Sequence, residues 1–344
     1  MSKPDDYLWD GSGSPDPEVA RLETLLAPLA HDGPLDELKL RRPRKRGPWI
    51  LGAVIAAAAA AVLVVWLDGR TSSTPTVDER EVSCRSHDPA AAGMAFVTHG
   101  GQVACGERSA ESGVLPIGGT LDTGANRASL TIGTIGTAEL FEGTRVRLDR
   151  TDVSRHQLHL ERGRMHARVV APPRIFAITT PSTSIVDLGC EYTIEIDVEG
   201  RGSIVVQSGM VELEGTGGVV VAPAGTTTRL LAGRQPSLPL TDDARPELRA
   251  AVADFETKTA GALDRIVQRA TDRDAITLIA LAELAPADRR AEVLTRLAAA
   301  VVPPAGVSIE GAASNPDQRG KWREDVIRAH FTQLMLRESP GKKY

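Results

Sequence analysis

His156, His159, Glu161 and His166 lie in one short stretch, and these side chains are common metal ligands. In an extended strand His159 and Glu161 share a face while His156 looks the other way. Arg155, Arg162, Arg164 and Arg168 surround them, and so basic a segment is ill suited to hold a cation. No metal site is expected. Ser, His and Asp are all present, but there is no GxSxG elbow or other nucleophile motif. Neither a GxxxxGK[ST] loop nor a strand–GxGxxG–helix pattern occurs, and no paired carboxylates stand in a catalytic context. We therefore expect a binding protein, not an enzyme, with no catalytic residues and no cofactor.

The 3 cysteines, Cys84, Cys105 and Cys190, form no CxxC pair, so a cysteine zinc site is not expected. In an oxidising compartment Cys84 and Cys105 could form a disulfide; the alternative is free thiols throughout. The odd count leaves one cysteine unpaired in either case. The chain of 344 residues has room for two compact domains and an anchor. Aromatic residues make up only 3%, so Val, Ile, Leu and Ala must build the core. A net charge of −5 argues against direct nucleic-acid binding by the whole molecule.

The elements that would position these residues fall into five stretches. Residues 48–67, PWILGAVIAAAAAAVLVVWL, carry no charge. At about 1.5 Å per residue they match the roughly 30 Å hydrocarbon core of a bilayer. Trp49 and Trp66 stand at the two ends, and Lys39, Arg41, Arg42, Arg44, Lys45 and Arg46 precede the run. These features predict a single transmembrane helix with a cytoplasmic N-terminus. The region before Pro48 is far too long for the n-region of a cleaved signal peptide. Residues 1–47 form an acidic tail. Within it Asp16 is a candidate N-cap, Pro17 suits the first helical position, and Val19, Leu22, Leu25, Leu26 and Leu29 recur at helical spacing. Tyr7, Leu8 and Trp9 add apolar surface upstream. A helix this short is marginal alone. We expect its stripe to dock on a cytoplasmic partner; resting on the membrane surface is the alternative, disfavoured by the acidic polar face. Residues 68–82, with TSSTPT, read as a linker.

From 83 to 240 the pattern becomes short alternating runs punctuated by glycine: RASLTIG, HQLHLERGRMHARV, YTIEIDV, GSIVVQSGMVELEG. Such runs read as half-buried strands of one all-β domain. Gly163, Gly189 and Gly209 fall between apolar runs, where the chain must reverse or pass close to another backbone. In order, Thr123–Gly124, Leu160 with Gly163, Phe176 to Pro181, Leu188–Gly189, Val205 to Val211 and Gly225 follow one recognisable series. Over about 120–235 the chain thereby resembles the FecR domain of membrane-bound sigma-factor regulators. Cys190 stands where that family usually has a small hydroxyl residue, with Tyr192 two positions on. A buried, inert thiol is the expected reading. The resemblance implies a domain of many short strands, a β-solenoid or a β-roll or sandwich.

Beyond Thr241 the period turns helical. Pro246 opens a stripe of Leu248, Val252, Phe255, Leu263, Ile266 and Val267; DAITLIALAEL, ADRRAEVLTRLAAAVV and a run after Pro316 follow. ITLIALAEL is far short of the roughly 20 apolar residues of a membrane span. The expected whole is a multi-domain inner-membrane protein: tail 1–47, span 48–67, linker 68–82, periplasmic β domain 83–240 and helical region 241–344. The resemblance implies an anti-sigma-factor-like regulator that senses an envelope signal, through a ligand or envelope protein, and holds a sigma factor by its tail. The tail lacks a zinc-finger-like His/Cys motif. An envelope binding or scaffold protein with no sigma-factor role is the alternative, and an envelope hydrolase a distant third.

Overall fold

The computed structural model describes Cys84 and residues 93–215, 217–233 and 235–338. The expected tail, membrane span and linker lie outside them. Among the described residues no helix is long and apolar enough to cross a membrane. The expected fold class is corrected on this point: the described residues form a large, mostly β domain followed by a helical region, with no transmembrane helix among them. The most apolar described helix, Ala275–Leu284, has 10 residues, about half of what a span requires, and lies inside the protein core.

The strands are β1 Gly93–His99, β2 Val103–Cys105, β3 Arg108–Ala110, β4 Ser112–Pro116, β5 Thr120–Asp122, β6 Arg127–Ile132, β7 Gly136–Leu140, β8 Arg145–Thr151 and β9 His156–Val169. They continue with β10 Phe176–Thr179, β11 Ser184–Asp187, β12 Glu191–Ile196, β13 Gly202–Ser208, β14 Met210–Gly215, β15 Gly218–Pro223, β16 Thr226–Leu230 and β17 Leu240–Thr241. Side chains alternate across each strand. In β12, for example, Tyr192, Ile194 and Ile196 are buried while Glu191, Thr193 and Glu195 are not.

The strands form two layers joined by β9. One layer runs β4-β1-β6-β7-β9-β12-β13-β16-β17. The other runs β3-β2-β5-β8-β9-β10-β11-β14-β15. Pairing is antiparallel except between β9 and β10. Hairpins alternate between the layers: β10–β11 in the second, β12–β13 in the first, β14–β15 back in the second. Register aligns apolar rows across each layer. Leu148, Leu158, Ile178, Ile185, Leu213 and Val220 are lateral neighbours in the second layer, each fully buried. Leu140, Met165, Ile194 and Ile204 make the matching row in the first. Each such side chain contributes roughly 2 kcal/mol by leaving water.

Strand β9 changes layer at Gly163. Its first half pairs with β8 and its second half with β7 and β12. Buried positions shift phase across the crossing, from 158 and 160 to 165, 167 and 169. Gly163 has φ +98°, and a Cβ there would press on Thr144 and stand 2.9 Å from the Gly143 carbonyl oxygen. Only glycine tolerates both conditions. Gly209, where β13 hands over to β14, has φ +68°, and a Cβ there would lie 2.9 Å from Cys190 Cα and closer to the Gly189 carbonyl.

Among the described residues six α-helices follow: α1 Pro246–Glu256, α2 Ala262–Arg269, α3 Ala275–Leu284, α4 Arg290–Ala300, α5 Ile309–Ser314 and α6 Pro316–Glu338. The stripe expected to run unbroken from Pro246 to Val267 is divided. Lys258 (φ +57°) and Gly261 (φ +71°) turn the chain between α1 and α2. In helix α5 the Ser308 hydroxyl accepts the Gly311 N–H at 2.9 Å and starts the helix. Every residue of α3 from Ala275 to Ala282 is buried, as an all-apolar helix must be. It packs on β15, α4 and α6, so β layers and helices share one continuous core. The Arg290 guanidinium caps the end of α3 by donating to the Ala282 and Ala285 carbonyls. Glu283 accepts from Arg319 at 2.7 Å and from Arg323 at 2.8 Å, and Arg319 is buried.

Two substitutions test this frame by urea denaturation. Gly209→Ala should cost at least about 2 kcal/mol, from left-handed strain plus the close approach. Glu283→Ala should cost about 3 kcal/mol, because it leaves the buried Arg319 charge without its carboxylate.

Candidate functional site

Tyr7, Leu8, Trp9, Val19, Leu22, Leu25, Leu26 and Leu29, the expected partner-binding residues, lie outside the described residues. Cys84 and Cys105 are joined as a disulfide with Cα atoms 5.5 Å apart, and both are buried. This ties the chain just ahead of β1 to β2. The histidines of β9 do not converge. His156 points inward, 2.7 Å from the Thr151 hydroxyl. His159 meets the Thr179 hydroxyl at 2.9 Å, outside the second layer. His166, beyond the Gly163 crossing, meets Thr193 at 3.0 Å and Glu191 at 3.2 Å. Burial holds His156 and His159 below the usual imidazole range, with Arg147 adding to the effect at His159. Among the described residues no group of three or more His, Cys, Asp or Glu is placed to hold a metal ion.

Cys190 sits in a buried polar knot. Its thiol donates to Asp187 Oδ2 at 2.8 Å, and the Gly189 N–H donates to Asp187 Oδ1 at 2.6 Å. Asp187 and Tyr192 are both buried, and burial pushes the Asp187 carboxyl above the usual range. Burial, followed by the adjacent carboxylate, pushes the Cys190 thiol and the Tyr192 phenol up as well. A thiol held in its neutral form is a poor nucleophile. The knot stabilises the β11–β12 turn and offers no reactive group.

A cleft lies where the β domain meets the helices, with a volume of about 610 Å³, the size of a small-molecule site. Leu231, Pro236, Phe255, Leu263 and Leu284 supply apolar wall. Glu256, at the end of α1, is buried beside it; it accepts from the Ser237 hydroxyl at 2.5 Å and from Arg229 of β16. Asp264 is paired with Arg289, which also meets Glu292 at 2.7 Å. Lys258 is exposed on the rim. The turn that carries it is a Schellman motif: Lys258 N–H donates to the Phe255 carbonyl and Thr259 N–H to that of Asp254. Lysine thus occupies a left-handed position usually given to glycine.

Comparison with known proteins locates the β architecture. Residues 119–212 match the family model described as FecR protein. The chain carries a FecR domain. It runs from the start of β5 into β14, and it takes in the Gly163 crossing, the Asp187–Cys190 knot and Gly209. Two crystal structures of a "putative anti-sigma factor" from Parabacteroides distasonis, at 2.50 and 1.65 Å resolution, are similar at 15% identity. The similarity covers 43% of this chain and 73% or 74% of theirs, with a TM-score of 0.32. No curated protein matches the chain.

The FecR resemblance read from the motifs is borne out, although the matched stretch ends at 212 and the motifs were followed to about 235. Several of those motifs prove to be joints between strands. Thr123 Oγ1 donates to the Phe141 carbonyl at 2.7 Å and accepts the Thr144 N–H at 2.9 Å. The cleft residues were missed. Lys258 follows a helix-period stripe, and nothing in a single sequence marks a lysine that will adopt positive φ. The one available signal was the TKTAG break between Phe255 and Ala262.

Asp187 gives a test by pH. A carboxyl whose native pKa is raised disfavours the fold progressively as pH climbs from about 4 through that raised value. Asp187→Asn keeps an acceptor and removes the charge. Urea midpoints at pH 4 to 7 should therefore show the variant gaining on the parent as pH rises; a constant gap would exclude this account.

Proposed function

We propose that this chain is an anti-sigma-factor-like regulator that works by binding and performs no catalysis. The FecR match over 119–212 carries this reading. In it the β domain, with its helical region, receives an envelope signal. The apolar tail residues Leu22, Leu25, Leu26 and Leu29 hold a sigma factor. The buried Cys84–Cys105 disulfide fits a periplasmic setting for the β domain, because disulfides persist in oxidising compartments. Signal transfer requires a ligand or partner that binds two states of the molecule unequally.

The cleft beside α1 favours a second reading, an envelope ligand-binding protein without a sigma-factor role. One experiment separates them. The full chain and a Leu22→Asp, Leu25→Asp, Leu26→Asp variant are purified from the host, and co-purifying sigma factor and its target transcripts are measured. The regulator reading expects the variant to lose most of the bound sigma factor and to change transcription of its targets. No sigma factor co-purifying with the parent chain, and transcripts the same for parent and variant, would leave only the second reading.

A further inference from the structure

We propose that the cleft between Leu231, Pro236 and Ser237 on one side and the α1–α2 turn on the other binds a small amphipathic anion, an apolar body bearing a carboxylate or similar head, with the Lys258 ammonium meeting the head. The walls supply the apolar part. Phe255, Leu263 and Leu284 are half-buried, packed on the core at one side and lining the cleft at the other. The charges decide the sign of the head. Both acids in the wall are already committed, Glu256 to Arg229 and Ser237, and Asp264 to Arg289. Arg289 is committed in turn to Asp264 and Glu292. Lys258 has no ion-pair partner among the described residues, so the charge left open at the rim is positive.

The backbone supplies an independent observation. Lys258 holds φ +57° at a helix-ending position where glycine is the usual, unstrained residue. Strained positions of this kind gather at ligand sites, where the side chain has a use that offsets the backbone cost. Lys258 is exposed on the turn that borders this cleft. Apolar wall, uncommitted cation and strained backbone therefore meet at one place. This inference does not rest on the sigma-factor reading, and its test uses purified full chain with no sigma factor present.

The probe is 8-anilinonaphthalene-1-sulfonate, an aromatic anion whose fluorescence rises on entering an apolar site. It is displaced by decanoate, by decanol and by decyltrimethylammonium in parallel, and the melting temperature of each protein is measured. Saturable binding is expected, with decanoate displacing the probe at a roughly 10-fold lower concentration than decanol or the cation. Lys258→Glu should weaken probe and decanoate by roughly 10-fold or more at an unchanged melting temperature. Lys258→Gly should weaken both while raising the melting temperature, because glycine relieves the turn. The proposal falls if decanol or the cation competes as well as decanoate, if Lys258→Glu binds like the parent, or if no saturable binding occurs.

Discussion

The Thr144 hydroxyl donates to the Arg164 carbonyl at 2.9 Å and accepts the Arg164 N–H at 3.0 Å, beside the point where β9 leaves one layer for the other. A strand that changes sheets interrupts its own ladder, and the freed backbone groups must find other partners. Here a buried threonine supplies both, and Thr123 holds Thr144 in turn. Gly163 lets the backbone come close enough for this to happen. Once β9 is fixed in both layers it templates β8 and β10 on one side and β7 and β12 on the other. The order of the later hairpins follows from those edges.

The same device recurs at the other exchanges between layers. Gly124, Gly143, Gly189, Gly209 and Gly225 each take positive φ where the chain passes from a strand of one layer to a strand of the other. This explains which part of the architecture was legible in the sequence. Period-two runs such as YTIEI mark strands and their inward faces, because one face is dry and the other wet. The glycines between runs mark places where the chain turns, some at crossings and others, such as Gly133 and Gly200, in hairpins of one layer. Which crossing joins which layers was not legible, because that depends on pairing between segments distant in the chain. The helices show the same division. ITLIALAEL reads as a short, wholly apolar helix, but only the fold reveals that β15, α4 and α6 surround it. The Pro246–Val267 stripe keeps one helical phase across a turn that breaks the helix, so periodicity alone could not locate the break.

Buried polar groups are used in two distinct ways. In the Asp187 knot, burial raises the carboxyl's pKa, and the thiol and phenol stay neutral. Its stabilising part is the local geometry, with the carboxylate accepting two donors of its own turn. Glu283 instead binds elements together, since it stands on α3 and both its arginines on α6. Such a pair gives little net stability over an apolar replacement, yet losing one member is costly. Its effect is to fix how α6 lies against the core. From there His330 reaches the Ala224 carbonyl at 2.8 Å and Leu334 covers Gly225.

The joint between β domain and helices then acquires a particular character. On one side Arg229 of β16 and Ser237 of the following loop reach Glu256 at the end of α1; on the other, the cleft uses the same loop and the same helix end. A molecule seated there would touch both partners of the joint, beside the buried Glu256 carboxylate and the exposed Arg229 that pairs with it. It can shift the relation between β domain and helices only by as much as it binds one arrangement better than another. The shared core of β layers and helices is close-packed and resists gradual deformation, so any such shift is confined to the polar contacts at its edge. Lys258 sits on the short turn that leads from this clamp into α2, so a head group drawn to it would bear on the α1–α2 geometry directly. An anion held by Lys258 would therefore act first on the α1–α2 turn and on the end of α1, where Glu256 meets Arg229 and Ser237.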